Sequence, residues 1–209
     1  MINETTSAGA FWDEIFGAQK DIYGRDPNDF LRLAAGNLKP GSRILSLGEG
    51  EGRNALHLLR LGHRVTCLDA SAIARDRAMR SFERENLPGE YRVMDLSREL
   101  PGQEFPGEKW DAVVSIWCHL PAPLRQKIHA LLPEWLSEGG AYIAEGYSTD
   151  QLRFGTGGPG DVELLYEPVQ IAREIPLQLE IFQKTERFVR EGSKHNGMSA
   201  TMQIIARKK

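Results

Sequence analysis

The sequence predicts an α/β fold on a largely parallel sheet, and three observations carry the prediction. From about Arg43 onward, short β-rich runs alternate with helical patterns. A glycine-rich loop sits where the first strand hands over to a helix, and two long alternating strands close the chain.

The elements read in order. RILSLG (43–48) is a strand, GRNALHLLRLG (52–62) a helix and RVTCLD (64–69) a second strand. SAIARDRAMRSFEREN (71–86) is a helix with Ser71 as its N-cap, and EYRVMD (90–95) is a third strand. A Pro/Gly-rich connection leads to WDAVVSIW (110–117), the fourth strand. A helix from about Ala122 to Leu136, ended by Glu138-Gly139-Gly140, leads to the fifth strand, AYIAEGY (141–147). Residues 151–167 read as a glycine-rich loop, with Gly157-Gly158-Pro159-Gly160 as a mobile segment on the acceptor side. QLEIFQKTERFVREG and MSATMQIIARKK then form an antiparallel hairpin around Ser193-Lys194-His195-Asn196. The first 40 residues look helical, with Asp26-Pro27 marking a helix start.

At 209 residues the chain can bury one sizeable core but not two ordinary catalytic domains. The expected organisation is one domain over 1–209, a helical cap over 1–40 and an α/β core over 41–209. With 41% apolar and 26% charged residues, composition excludes a disordered or fibrous chain. A net charge of −3 argues against a nucleic-acid partner, because duplex binding needs a basic face. No basic-then-apolar leader and no apolar run of about 18 residues is present, so no membrane association and a cytoplasmic location are expected. Cys67 and Cys118 belong to no CxxC pair, which points to neither a disulfide framework nor a metal site. Cys67, in an apolar run, is expected in the core.

Gly48-Glu49-Gly50-Glu51-Gly52 lies between strand and helix, with Asp69 ending the next strand. In this layout glycines admit a ligand close to the backbone, the helix N-terminus faces it, and the later acid takes ribose hydroxyls. Charge selects among nucleotide-like ligands. A dinucleotide would set its pyrophosphate beside Glu49 and Glu51, where one carboxylate–phosphate pair at about 5 Å repels by roughly 3 kcal/mol at an effective dielectric near 20. Arg53, standing where that fingerprint has a small residue, offsets only part of this. S-adenosylmethionine has no phosphate and carries a sulfonium and an ammonium, which an acidic loop attracts.

The stretches ILSLGEGEGRNALHLLRLGHRVTCLDAS, YGRDPNDFL, VVSIWCHLP, AEGY, GTGGPGDVELL and REGSKHNGMSA resemble the class I S-adenosylmethionine methyltransferases, and within them the small tellurite-resistance and thiopurine-like branch. The resemblance implies a Rossmann-like seven-stranded mixed sheet of order 3-2-1-4-5-7-6, with strand 7 antiparallel and helices on both faces. It implies that Asp69 binds the ribose and that Asp95 lies near the adenine. The cofactor-contacting set is then Gly48, Glu49, Gly50, Gly52, Arg53, Asp69, Ala70, Asp95, Leu96 and Trp117. The family's acidic loop position is Ser46 here, which makes Glu49 the candidate partner of the methionine ammonium, the alternative being a solvated loop glutamate.

A small methyl acceptor, a thiol or chalcogen oxyanion among the options, is expected beyond strands 4 and 5, near Trp117, Cys118, His119 and Tyr147, with Arg190, Lys194 and His195 at the rim. His119 is either a base at the site or a cap on local structure, and His195 either a base or an exposed turn histidine. Trp117 and Tyr147 wall the pocket or pack in the core. Trp12 and Tyr23 form a lid or ordinary packing. The competing functions are a non-catalytic S-adenosylmethionine-binding protein and an NAD-dependent oxidoreductase.

Overall fold

The computed structural model describes residues 7–209, so the first six residues of the expected cap lie outside the described residues. Helix α1 (Ala8–Ala18) starts at Ser7, whose hydroxyl accepts from the Ala10 N–H at 3.2 Å. Helix α2 (Asp29–Ala35) begins later than Asp26-Pro27 suggests. Its N-cap is Asn28, whose Oδ1 accepts from the Leu31 N–H at 2.9 Å. Asn28 takes the role because it is fully buried and its amide is also held by Glu145 of the fifth strand and Glu191 of the sixth.

The alternation then runs as predicted through β1 (Arg43–Leu47), α3 (Arg53–Arg60), β2 (Arg64–Asp69), α4 (Ala72–Arg84) and β3 (Glu90–Val93). Ser71 caps α4 by accepting from the Ala74 N–H at 3.0 Å. Ala74, Ala78 and Phe82 recur every fourth residue on the buried face of that helix. β3 stops at Val93, two residues short of Asp95. The Asp95 carboxylate instead accepts from the Ser97 N–H at 3.0 Å, folding the chain away from the sheet.

A single turn, α5 (Pro101–Glu104), occupies the Pro/Gly-rich connection before β4 (Trp110–Ile116) and α6 (Ala122–Trp135). Glu138-Gly139-Gly140 does not end that helix. β5 (Leu136–Tyr147) takes over directly, with Leu136 paired to Trp110 and a register shift before Ala141 meets Ala112. Leu136 is fully buried, so strand pairing captures it ahead of the glycines. The glycine-rich region carries 3-10 turns at Thr149–Arg153 and Val162–Leu164. Helix α7 (Pro168–Glu174) follows, capped by Glu167 and opened by Pro168, a start signal that the glycine content masks. β6 (Gln178–Glu191) and β7 (His195–Arg207) form the closing hairpin, with His195 and Asn196 already in the second strand.

The seven strands lie in the order β3-β2-β1-β4-β5-β7-β6, with β1 to β5 in parallel pairings and β7 antiparallel to both its neighbours. This is the Rossmann-like sheet that the resemblance implies. Alternate residues of the central strands feed two cores. Leu45, Leu47, Val113 and Tyr142 pack toward α6 and α7, while Ile44, Cys67, Val114 and Ile143 pack toward α2, α3 and α4. Burial of each such aliphatic side chain contributes about 1.5–3 kcal/mol. Burial on both faces explains why these strands read as continuous apolar runs. Cys67 is fully buried, as expected. Among the described residues no helix is long and apolar enough to cross a membrane.

Candidate functional site

β1 pairs with β2 on one side and with β4 on the other, so the strand order reverses at the carboxyl end of β1. The glycine loop lies there, with φ of +62° at Gly48, +64° at Gly50 and +86° at Gly52. Two of these positions also demand close approach. A Cβ on Gly48 would stand 2.7 Å from the Cys118 Sγ, and one on Gly52 2.7 Å from the Ala78 Cβ.

Asp69 faces the loop, accepting from the Gly50 N–H through Oδ2 and from the Ser71 N–H through Oδ1, each at 2.9 Å. Burial pushes its carboxyl up to about 6, against the pull of those amides. Tyr91 of β3 supports the loop from below, its hydroxyl donating to the Gly50 carbonyl at 2.7 Å.

Glu49 is buried, not solvated, at 7% exposure. Its Oε1 accepts from the Ala55 N–H at 2.8 Å, capping α3, whose N-cap Gly52 has no side chain to do so. Its Oε2 accepts from the Ser46 hydroxyl. The serine at the family's acidic position thus holds the displaced carboxylate over the end of β1. Burial pushes the Glu49 carboxyl up to about 7, although Ser46, Ala55 and Arg53 pull it down. Neither Glu49 nor Asp69 has an ion-pair partner among the described residues, although their neighbours do.

Two loop residues do other work than their sequence position suggests. The Glu51 carboxylate turns to the N-terminal segment, accepting from the Asp21 and Ile22 N–H groups at 3.1 and 3.2 Å and from Arg77 Nη1 at 2.8 Å. The unpaired acidity of the loop region therefore comes from Glu49 and Asp69, not from Glu49 and Glu51. Arg53 leaves the loop altogether. Its Nη1 donates to the Asp26 carbonyl at 2.9 Å and its Nη2 pairs with Glu191. Its guanidinium is thus taken up by a buried anion on β6.

Helix α1 lies across this corner. The Asp13 carboxylate accepts from the Ser71 hydroxyl at 2.5 Å and the Ile73 N–H at 3.1 Å. Phe16 sits where a Gly50 Cβ would meet its ring at 3.2 Å. Trp12 belongs to the small apolar cluster of Phe16, Ile22 and Ala74. Asp95 is part-buried beyond β3, and Leu96 is buried at 8% exposure.

On the other side of the switch, an aromatic group forms at the ends of β4, β5 and β7. Trp117 stacks on Tyr147 at 4.4 Å between ring centroids, and His195 lies 5.1 Å from Trp117. Tyr23 meets His195 edge-on at 4.9 Å, so the N-terminal segment closes over this wall. Trp117 has φ +57°, a left-handed conformation that costs a side chain on the order of 1–2 kcal/mol. It is held there by its N–H donating to the Glu145 carbonyl at 2.8 Å and by its indole Nε1 donating to Glu191 at 2.6 Å.

His119 has no nitrogen left for a ligand. Its Nε2 accepts from the Tyr147 N–H at 2.8 Å, which leaves Nδ1 to donate to the Trp117 carbonyl at 3.1 Å. Of the two readings, the structural cap wins, and burial lowers its pKa to about 4. His195 is not an exposed turn residue, being 5% exposed with Nδ1 on the Tyr147 hydroxyl at 2.7 Å, and burial lowers it to about 3. Arg190 lies over the Phe188 ring at 5.0 Å and Lys194 is exposed, so neither joins the aromatic group. The Cys118 thiol, packed on Gly48, is pushed up to about 12 by burial. The segment after β5 is tied to the hairpin, with a bridge between Gly157 and His195 and the Asn196 N–H donating to the Thr156 carbonyl at 3.0 Å.

The residues that sequence reasoning missed are Asn28, Glu145, Arg187, Glu191 and Gln203. Arg187 donates to Glu145 at 2.9 and 2.7 Å and lies 3.3 Å from Glu191, and Gln203 donates to Glu145 at 2.9 Å. Burial pushes the Glu191 carboxyl up, but Arg53, Trp117 and Arg187 outweigh it and hold the group below its ordinary value. The only available signal was charged residues at inward positions of alternating strands.

Comparison with known proteins places this geometry. Residues 44–140 match the family described as methyltransferase domain. A curated ubiquinone biosynthesis O-methyltransferase of Xanthomonas campestris is 32% identical over 123 residues, which cover 56% of this chain and 48% of that protein. The matched stretch therefore spans about half the length of that relative. The solved structure of TehB from Haemophilus influenzae superposes with a TM-score of 0.71 at 20% identity, covering 95% of this chain and 67% of that one. The [4+2]-cyclase SpnF superposes with a TM-score of 0.74 at 14% identity, covering 97% and 96%. At these identities the structures show a shared fold.

Proposed function

We propose that this chain is a class I S-adenosylmethionine-dependent methyltransferase that transfers a methyl group from that cofactor to a small-molecule acceptor, a reading supported by the methyltransferase-domain match, the curated relative and the shared fold. The observation that carries the reading is the pair of buried carboxylates, Glu49 and Asp69, raised to about 7 and about 6 at the glycine loop. Two buried acids without an ion-pair partner are costly unless a cation compensates them. A ligand with an ammonium and a sulfonium fits that pair of anionic acceptors; a pyrophosphate does not.

In this reading Asp69 takes the ribose hydroxyls through its remaining lone pairs, and the Glu49–Ser46 pair takes the methionine ammonium. Gly48, Gly50 and Gly52 admit the ligand against the backbone, Ala70 flanks the ribose, and Asp95 and Leu96 receive the adenine. S-adenosylmethionine, when bound, supplies an electrophilic methyl group. Trp117, Tyr147, His195 and Tyr23 orient the acceptor and exclude water, which suffices for an in-line displacement.

The lack of basicity supports an acceptor that needs no general base. With His119 fully engaged and His195 lowered to about 3, neither histidine is matched to take a proton near neutral pH. Nucleophiles that arrive ionised, a thiolate or a chalcogen oxyanion, need no such help. The curated relative's name favours a second reading, transfer to an oxygen of a small phenol. A screen with methyl-labelled cofactor against thiols, thiopurines, selenite, tellurite and phenols tests both. Labelled product from the ionisable acceptors is expected. Cofactor binding with no product from any acceptor would support a non-catalytic binding protein, and tighter binding of NAD than of S-adenosylmethionine would end the reading.

A further inference from the structure

We propose that Glu191 is a positioning residue that locks the acceptor wall to the cofactor loop through Trp117 and Arg53. The inference rests on the cofactor reading above. Glu191 is the last residue of β6, 5% exposed, and both its oxygens are shared. Oε2 accepts from the Trp117 indole at 2.6 Å and pairs with the Arg53 guanidinium. Oε1 accepts from the Asn28 amide at 2.9 Å and faces Arg187 at 3.3 Å.

The two partners of Oε2 belong to opposite halves of the site. Arg53 is the first residue of α3, directly after the glycine loop. Trp117 is the residue at which the chain leaves β4, and its ring stacks on Tyr147. One carboxylate oxygen therefore fixes the plane of the wall relative to the loop. The surrounding charges interlock, Glu145 and Glu191 against Arg53 and Arg187, with Asn28 bridging the two acids at 2.6 and 2.9 Å and the exposed Asp29 carboxylate 3.8 Å from Arg187. A network anchored on two strands and two helical segments resists a shift of one member alone. In-line transfer is sensitive to displacements of about 1 Å, so rigidity of this kind bears on rate.

The test uses S-adenosylhomocysteine as the probe and the Trp117 indole N–H resonance as the reporter, identified by its loss in Trp117→Phe. In the wild-type protein that resonance should lie downfield, exchange slowly with solvent and shift on titration with the probe. In Glu191→Gln the downfield position and the response to the probe should both disappear, while probe affinity by calorimetry changes less than about threefold. Trp117→Phe removes the same bond without altering the charges and covers the case in which the glutamine variant does not fold. In it, the slowing of hydrogen exchange that the probe produces at residues 190–195 of the wild type should vanish. A response that persists in Glu191→Gln, or equal slowing at 190–195 in Trp117→Phe, would overturn the inference alone. Failure of the wild-type protein to bind the probe would overturn the cofactor reading and the inference with it.

Discussion

Replacing Glu49 by glutamine should make the ligand-free protein more stable at alkaline pH and its cofactor weaker. The carboxyl rises from 4.5 to about 7 on folding, chiefly through burial. The folded state therefore binds more protons than the unfolded state between those values. Stability falls as pH climbs through that window, and the loss is complete above it. At about 1.4 kcal/mol per pH unit, the ionised group withdraws up to about 3 kcal/mol at pH 8. Glutamine keeps the shape and still accepts from the Ala55 N–H, but it has no charge to desolvate. For a domain of this size about 1 kcal/mol corresponds to roughly 2–4 °C, so melts at pH 8 should rise by up to about 10 °C. At pH 4, below the unfolded value of 4.5, the two proteins should melt alike, and the matching rise of Asp69 cancels because both carry it. S-adenosylmethionine and its demethylated product should bind the variant more weakly, while methylthioadenosine, which lacks the amino-acid tail, should bind as before. A variant that melts below the wild type at pH 8, or that loses all three ligands equally, would refute the reasoning.

Three further outcomes follow from the same geometry. Binding of S-adenosylmethionine at pH 7 should release on the order of half a proton as a cation draws the Glu49 carboxyl down, measurable as buffer-dependent heats in calorimetry; uptake of protons would contradict it. Asp69→Ala should weaken cofactor binding by about 1.5–3 kcal/mol, and unchanged affinity would place Asp69 outside the site. His119→Ala strands the Tyr147 N–H and the Trp117 carbonyl, so it should cost about 1–3 kcal/mol in denaturant unfolding, whereas the wild-type rate should show no histidine inflection between pH 6 and 8.

The sequence made the cofactor half legible and the acceptor half much less so, for a physical reason. From Arg43 to Leu96 the structure is assembled from neighbours: strand, glycine turn, helix, and Ser71 capping three residues on. Local propensity and pattern report such contacts. Arg53 and Glu191 lie 138 residues apart and Asn28 and Glu191 163, and nothing local in either partner announces the other. The same blindness moved the start of α2 from Asp26-Pro27 to Asn28 and the start of β5 to Leu136, where tertiary partners overrode turn residues. His119 was legible as a residue at the site, but its spent nitrogens depend on a Tyr147 amide 28 residues away.

The way β7 inserts between β5 and β6 also sets the order in which the molecule can assemble on the ribosome. The strands from β1 to β4, with their crossover helices, have neighbouring partners as soon as they emerge. The bonds that complete the cap do not: Asn28 waits for Glu145 and Glu191, and Ile22 accepts from the Ser193 N–H at 3.0 Å. Contacts of such long range form slowly, because a long loop must close before they contribute. During synthesis the residues around Asn28 meet Glu51, Asn54 and Glu145 first, and lack Glu191 and Ser193 until the hairpin arrives. A nascent chain stalled before β6 would carry β1 to β5 and an amino-terminal segment still lacking its hairpin contacts, the form in which this protein is most exposed to proteases and chaperones.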